Sequence, residues 1–294
     1  MDQHDWLAER FEDHRTHLRA VAYRMLGSFS AADDAVQETW LRLSRAETGD
    51  IENLGGWLTT VAGRVCLNML RSRRSRRDEP VGAHVPDPVV SRENGVGPEH
   101  EALMADAVGL ALLVVLETLA PAERLAFVLH DMFGVPFDEI APIVGRSPTA
   151  TRQLASRARR RVQRAATVPD TDLSRQREAV DAFFAAARGG DFDALVAVLD
   201  PDVVVRSDGG VPRPGASVVV RGAPAVAKRA LTFAQPSALV RRALVNGAAG
   251  VVVAVDSRPF SIMGFTVADG KIVEIDILAD PERIRHLDLS VLDD

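Results

Sequence analysis

The sequence predicts a multidomain protein: two all-α domains, the second with a helix-turn-helix, followed by an α+β domain. Three observations carry that reading. Strand signals are absent from residues 6–78 and again from about 99–166. Between these blocks, EPVGAHVPDPVVSRENGVGP (79–98) is rich in Pro and Gly, as linkers are. Beyond about residue 199, β-branched runs spaced by Gly, Asp and Asn take over.

A chain of 294 residues suits two or three domains, and 47% hydrophobic residues can build cores without disulfides. The single cysteine, Cys66, has no internal partner, which fits a reducing cytosol. No run of about twenty apolar residues and no charged-then-apolar leader is legible, so a soluble cytoplasmic protein without a membrane partner is expected. The net charge of −6 argues against a nucleic-acid binder in bulk. Its distribution argues the other way. Arg71, Arg73, Arg74, Arg76 and Arg77 form one cluster, and Arg157, Arg159, Arg160, Arg161 and Arg164 a second. One such cluster is explained as a solvated helix end favoured by the dipole; two shift the balance toward phosphate.

The first helical block (6–78) is punctuated only by Gly27, Thr48–Gly49–Asp50 and Gly55–Gly56. In DDAVQETWLRL, Val36, Trp40 and Leu43 fall on one helical face, a core stripe. The opposite face carries Asp34, Gln37, Glu38 and, unexpectedly, Leu41. A lone exposed Leu is common; a mixed acidic and apolar face is also what a docking surface needs. Trp57 reads as a core anchor and Cys66 as a small buried apolar residue.

In the second block (99–166), one helix covers Pro121–Asp131 and breaks at Gly134. A short helix, Phe137–Val144, stops at Gly145, and Ser147–Pro148 opens a third as N-cap and first helical residue. Ala150, Leu154, Ala158 and Val162 line one side of it; Arg152, Ser156, Arg159 and Gln163 line the other. A capped helix with such a face, behind a glycine turn, has the make-up of a DNA-recognition helix. Thr149, Arg152, Gln153 and Ser156 are the candidates for base contacts, with Arg157, Arg159 and Arg160 for the backbone. Helix–Gly–helix patterns alone also occur in ordinary helical hairpins.

Residues 174–199 read as two helices joined at Gly189–Gly190, and the runs that follow as an antiparallel sheet interrupted by a helix around Pro224–Phe233. Asp208, Asp256 and Asp276 are acids on or beside strands that could work as catalytic carboxylates. Asp208 before two glycines is equally turn chemistry, and Asp276 within EIDIL could alternate outward. No acid–His pairing is legible. A non-enzyme with no catalytic residue, cofactor or metal is expected.

Taken together, the motifs of residues 6–165 resemble the sigma-70 family of RNA polymerase sigma factors, in the order found in its extracytoplasmic-function (ECF) group. DDAVQETWLRL looks like the helix that grips the polymerase clamp. GWLTTVAGRVCLNMLRSRRSRR is similar to the promoter-melting segment of sigma domain 2 (6–78). LAPAERLAFVLHDMFGVPFDEIAPIVGRSPTATRQLASRARRRV is similar to sigma domain 4 (99–166), which reads the upstream promoter element. The resemblance implies core RNA polymerase and promoter DNA as partners. It assigns Asp34, Gln37, Glu38 and Leu41 to the polymerase, and Arg64, Asn68, Arg71, Arg73 and Arg74 to the downstream element. A base-capturing loop would fall near Thr48–Asn53.

Residues 174–290 resemble the SnoaL-like (NTF2-like) cone fold, which certain ECF sigma factors carry as a fused extension. A DGGG-type motif stands here as Asp208–Gly209–Gly210, followed by Val211. An Asn-Pro-Asp type motif stands as Asp280–Pro281–Glu282. The linker motif, Trp-Leu-Pro-Glu-Pro in that group, stands as His84–Val85–Pro86–Asp87–Pro88. The expectation is regulatory: Asp208–Gly210 and Asp280–Arg283 face the linker around Pro86–Pro88, an intrachain contact with high effective concentration. The alternatives are a stand-alone helix-turn-helix regulator with a ligand-sensing SnoaL-like pocket, and a small-molecule enzyme with a helical appendage.

Overall fold

The computed structural model describes residues 3–46, 53–76, 83–92, 109–165, 169–234 and 238–289. They divide into two units, one of residues up to 76 together with 115–165, the other of 83–92, 109–114 and everything from 169 on.

In the first unit, α1 (Gln3–Leu26), α2 (Phe29–Leu43) and α3 (Leu54–Arg76) pack pairwise. Apolar residues at helical spacing make the shared core: Phe11 and Leu18 from α1, Val36 and Leu43 from α2, Leu58 and Ala62 from α3. Burying each large side chain among them is worth roughly 1.5–3 kcal/mol. Trp40 and Trp57 flank this cluster, the Trp40 ring tilted on Phe11 at 5.2 Å.

The end of α4 (Leu110–Glu117) leads into α5 (Pro121–Phe127), which continues as a wider π turn, Val128–Met132. His130 holds the turn that follows, its Nδ1 3.0 Å from the Val135 carbonyl and its ring stacked on Phe137 at 3.8 Å. Then come α6 (Phe137–Val144) and α7 (Pro148–Ala165). Gly145, at φ +67°, ends α6 in the left-handed region, and Arg146 N–H closes the turn on the Ala141 carbonyl at 3.1 Å. Ser147 Oγ accepts from Ala150 N–H at 3.2 Å, the N-cap its sequence position predicts.

The two helical blocks share this unit. At Gly63 of α3, a Cβ would stand 3.1 Å from Leu129 and 3.4 Å from Leu125, so the missing side chain lets the helices close up. Buried Arg124 bonds the Arg24 carbonyl through Nε (3.2 Å) and Nη2 (3.0 Å), and Glu117 through Nη1 (2.7 Å).

The second unit is built on a seven-stranded sheet in the order β1-β4-β5-β6-β7-β2-β3. The strands are β1 (Val90–Ser91), β2 (Leu199–Asp208), β3 (Val218–Arg221), β4 (Leu239–Val245), β5 (Ala248–Val255), β6 (Arg258–Ala268) and β7 (Lys271–Leu278). Helices α8 (Leu173–Gly189), α9 (Phe192–Val198) and α10 (Ala223–Phe233) pack on its inner face over Val203, Val205, Val251, Phe265 and Ile275. Asp172, Asp191 and, for the short α11 (Pro281–Ile284), Asp280 cap their helices with side-chain oxygens.

Two expectations are corrected. The sheet is mixed rather than antiparallel, because β2 lies parallel to its neighbour β7. The segment expected to be plain linker contributes β1, pairing Val90 with Val245 and Ser91 with Leu244. A sheet edge presents unpaired N–H and C=O groups, and two extended residues suffice to use them.

Candidate functional site

The first candidate surface is on α2. One face turns to the core, where Ala35, Val36, Thr39 and Leu43 are buried. Asp34, Gln37, Glu38 and Leu41 all lie exposed on the other side. Leu41 is 38% exposed and stands among these acidic and polar groups as the apolar residue of the face. Glu38 is held by Arg42 at 2.9 Å, an i,i+4 pair that keeps the carboxylate at the surface.

A second surface runs along α3, where Arg64, Asn68 and Arg71 are exposed at i, i+4, i+7 spacing. Arg73 departs from the expected stripe: half-buried, it gives Nη1 to the Leu26 carbonyl at 3.1 Å, closing the end of α1. The Arg74 side chain and Thr48–Glu52 of the expected base-capturing loop lie outside the described residues. Cys66, on the inner side of α3, is fully buried, and that burial pushes its thiol up to about 12.

On α7, Thr149, Arg152, Gln153 and Arg160 are exposed and Ser156 is half-buried. The buried stripe is Thr151, Ala155 and Ala158: Ala158 lies on the expected line, while Thr151 and Ala155 stand one position beyond Ala150 and Leu154. A helix of 3.6 residues per turn drifts off a strict four-residue step. Arg152 lies over the Phe137 ring at 5.3 Å, so α6 steers a side chain near the start of α7. Two arginines assigned to the DNA backbone have partners already: Arg159 bonds Asp131 at 2.9 Å, and Arg157 pairs with Glu123 at 3.2 Å. Both arginines keep about half of their side chains in water while their carboxylates are mostly covered, so each guanidinium still has donors open to solvent.

In the second unit, Arg283 at the end of α11 makes three bonds to surrounding groups. Nε donates to Asp87 Oδ1 at 2.7 Å, Nη1 to Asp208 Oδ2 at 2.8 Å, and Nη2 to the Val85 carbonyl at 2.6 Å. Asp208 Oδ2 also accepts from Val85 N–H at 3.1 Å and lies 2.9 Å from His84 Nδ1. Burial alone would raise the Asp208 carboxyl, but the His84 bond and charge, the Arg283 charge and the Val85 N–H overcome it and bring it down to about 2. Farther along, Val89 and Asn246 exchange two bonds, Val89 N–H to Asn246 Oδ1 at 3.1 Å and Asn246 N–H to the Val89 carbonyl at 2.8 Å. Pro86, Asp87 and Pro88 are all buried. Residues 84–89 are thus clamped at both ends.

Five residues expected to face the linker are placed otherwise. Gly209 N–H donates to Ser217 Oγ at 3.1 Å, and Asp280 caps α11 through Glu282 N–H at 2.9 Å. Glu282 points to solvent, and Pro281 occupies the first helical position, where its fixed φ belongs. Gly210, at φ +64°, sits so close to Asp280 that a Cβ there would collide with its carboxylate. Sequence reasoning missed Val89 and Asn246, and quoted His84 and Val85 in the linker motif without giving them a part in the contact; Asn246, before Gly247, sits in a turn at φ +50°.

Of the three candidate acids, Asp256 is exposed in a turn at φ +50°. Asp276 lies on the outer face of β7, yet is buried, with Arg206 Nη1 at 3.1 Å. Burial pushes its carboxyl up to about 6; Arg206 opposes the shift and Glu274 adds to it. Among the described residues neither is paired with a histidine, but the third, Asp208, is: the expected absence of an acid–His pair is corrected by His84 Nδ1 at 2.9 Å, brought there by packing of the linker. Among the described residues no cluster of His, Cys, Asp and Glu has metal-binding geometry, and no helix is long and apolar enough to cross a membrane.

Comparison with known proteins covers both units. The Sigma-70 region 2 family model matches residues 10–76, and the Sigma-70 region 4 model matches 109–162. The probable ECF RNA polymerase sigma factor SigI of Mycobacterium tuberculosis is 36% identical over 291 residues, 98% of each chain. SigJ of the same organism, an ECF RNA polymerase sigma factor, is 40% identical over 93% of this chain and 91% of its own. The crystal structure of SigJ superposes with a TM-score of 0.73 at 36% identity, covering 96% of this chain and 99% of that one.

Proposed function

The chain belongs to the ECF RNA polymerase sigma factors, and from that premise we propose that its C-terminal domain regulates initiation by holding the linker between the two sigma domains. As a sigma factor it directs core RNA polymerase to promoters for transcription initiation. In this reading Asp34, Gln37, Glu38 and Leu41 meet the polymerase, with the acidic groups setting encounter rate and register and Leu41 supplying the desolvated contact. Arg64, Asn68, Arg71, Arg73 and Arg74 serve the downstream element, and Thr149, Arg152, Gln153 and Ser156 the upstream one. The exposure of Asp34, Gln37, Glu38 and Leu41, of Arg64, Asn68 and Arg71, and of Thr149, Arg152 and Gln153 on separate helix faces supports the assignment.

The observation that carries the regulatory part is the Arg283 fork, which engages Asp87, Asp208 and the Val85 carbonyl together. Residues 84–89 are the chain between the sigma domains; held at His84–Asp87 and Val89, they have little freedom to lengthen or turn. Asp87→Asn, Arg283→Ala and the wild type are compared in promoter-dependent transcription with purified core polymerase. A change of at least about threefold in transcript, without loss of core binding, supports the hold. Equal transcript from all three removes it.

The same geometry supports a non-catalytic C-terminal domain. Asp208 is committed to Arg283 and His84, and Asp276 to Arg206, so neither carboxylate is placed to take a proton from a substrate.

A further inference from the structure

A cavity of about 500 Å³ opens within the C-terminal domain between α8, α10 and the inner face of the sheet. The size lies within the range of small-molecule sites. Its walls are apolar, with Phe183, Val205, Val253, Met263 and Ile277 among them. At its lining stand two phenylalanines that folding has left in water, Phe233 at 62% and Phe260 at 39% exposure. Each carries a guanidinium over its ring, Arg229 at 4.6 Å from Phe233 and Arg213 at 4.7 Å from Phe260. Arg188 lines the same space.

The charges there are one-sided. Among the described residues, three arginines line the cavity and no Asp, Glu or His does; Ser207 and Ser261 are the remaining polar side chains. In a chain of net charge −6, that is a local positive site over an apolar interior. Cations and bases are disfavoured, and a neutral apolar guest would leave the arginines unused. An anion without an apolar body would leave the walls bare. The guest that satisfies both has a carboxylate head and a hydrocarbon or aromatic body, and an arginine fork suits a carboxylate.

We propose that this cavity binds an amphipathic organic acid, its apolar body against Phe183, Val253 and Met263 and its carboxylate at Arg213 and Arg229. Ser207 in the cavity and Asp208 in the linker clamp are successive residues of β2, pointing to opposite faces, so the guest lies across one strand from the clamp.

Dodecanoate and dodecan-1-ol are titrated calorimetrically into the full-length chain below their aggregation limits. The expected result is saturable uptake of dodecanoate, with dodecan-1-ol at least about tenfold weaker, the order of difference one charge-assisted contact makes. The double variant Arg213→Gln/Arg229→Gln is expected to weaken dodecanoate at least about tenfold and to leave dodecan-1-ol unchanged. No saturable uptake of dodecanoate, or equal affinity for acid and alcohol, overturns the proposal. Should the double variant fail to fold, the acid–alcohol comparison on the wild type decides. The readout needs no polymerase, so its failure is distinct from any failure of the regulatory reading.

Discussion

Truncating Arg283 to Ala removes three bonds at once and leaves two buried carboxylates, Asp87 and Asp208, short of a cation. Removing one partner of a buried ion pair costs about 3–5 kcal/mol. Asp208 keeps Val85 N–H, Gly210 N–H and the His84 ring, which places the cost near the lower figure. At 1.36 kcal/mol per tenfold, about 3 kcal/mol is somewhat more than a hundredfold in the opening equilibrium. Native-state hydrogen exchange reads it directly, because Val85 N–H is bonded within the clamp. The expected result is acceleration at Val85 by about a hundredfold. A smaller change is expected at Val89, which Asn246 still holds, and none at Val251 in β5. Unchanged exchange at Val85 refutes the reasoning. Equal acceleration at Val85 and Val251 also does, since it would assign Arg283 to the fold of the whole domain.

Gly210→Ala forces a Cβ into Asp280 at a φ of +64° and is expected to lower the melting temperature by several degrees, more than the same change at Gly134, which has open space. The Asp276 carboxyl, lifted from 3.8 to about 6, holds its proton in the folded state over a range where the unfolded chain has lost it. Its contribution to stability is therefore present at low pH and lost as pH rises between those values, and Asp276→Asn should flatten that part of the melting-temperature profile. Arg152→Ala is expected to cost about 1–3 kcal/mol in promoter binding and relax one base position if it reads a base edge; Arg160→Ala should lower the salt slope by about one instead. Cys66, buried with its thiol at about 12, should stay unreactive to a thiol reagent in the native protein and react at once in denaturant.

What could be read from the residues was local. The two faces of α2 follow from period alone, and Ser147, Pro148 and Gly145 mark the ends of α6 and α7 by the conformations they favour. Asp172 and Asp191 cap α8 and α9 by the same chemistry, a signal that went unread in the sequence. The clamp was legible only through resemblance, since Arg283 and Asp87 are 196 positions apart and neither carries a local pattern. Resemblance also overreached, because it treated Asp280–Glu282 as a contact surface when the acid is a helix cap. The parallel pairing of β2 with β7 and the capture of Val90–Ser91 by β4 depend on which sheet edges remain open after folding, a global property. Arg124 and Arg73, both arginines in helices, were indistinguishable in sequence from solvated ones; their bonds to the Arg24 and Leu26 carbonyls arise from packing.

The measurement that tests the central claim most directly is the affinity of the full-length chain for purified core RNA polymerase, beside Leu41→Asp and Glu38→Arg. The expected result is tight binding by the wild type and a loss of at least about tenfold in each variant, with melting temperatures unchanged because both side chains are exposed. Absence of binding by the folded wild type, with a polymerase that accepts another sigma factor, would contradict it. Variants that bind as the wild type does would take the polymerase contact off α2.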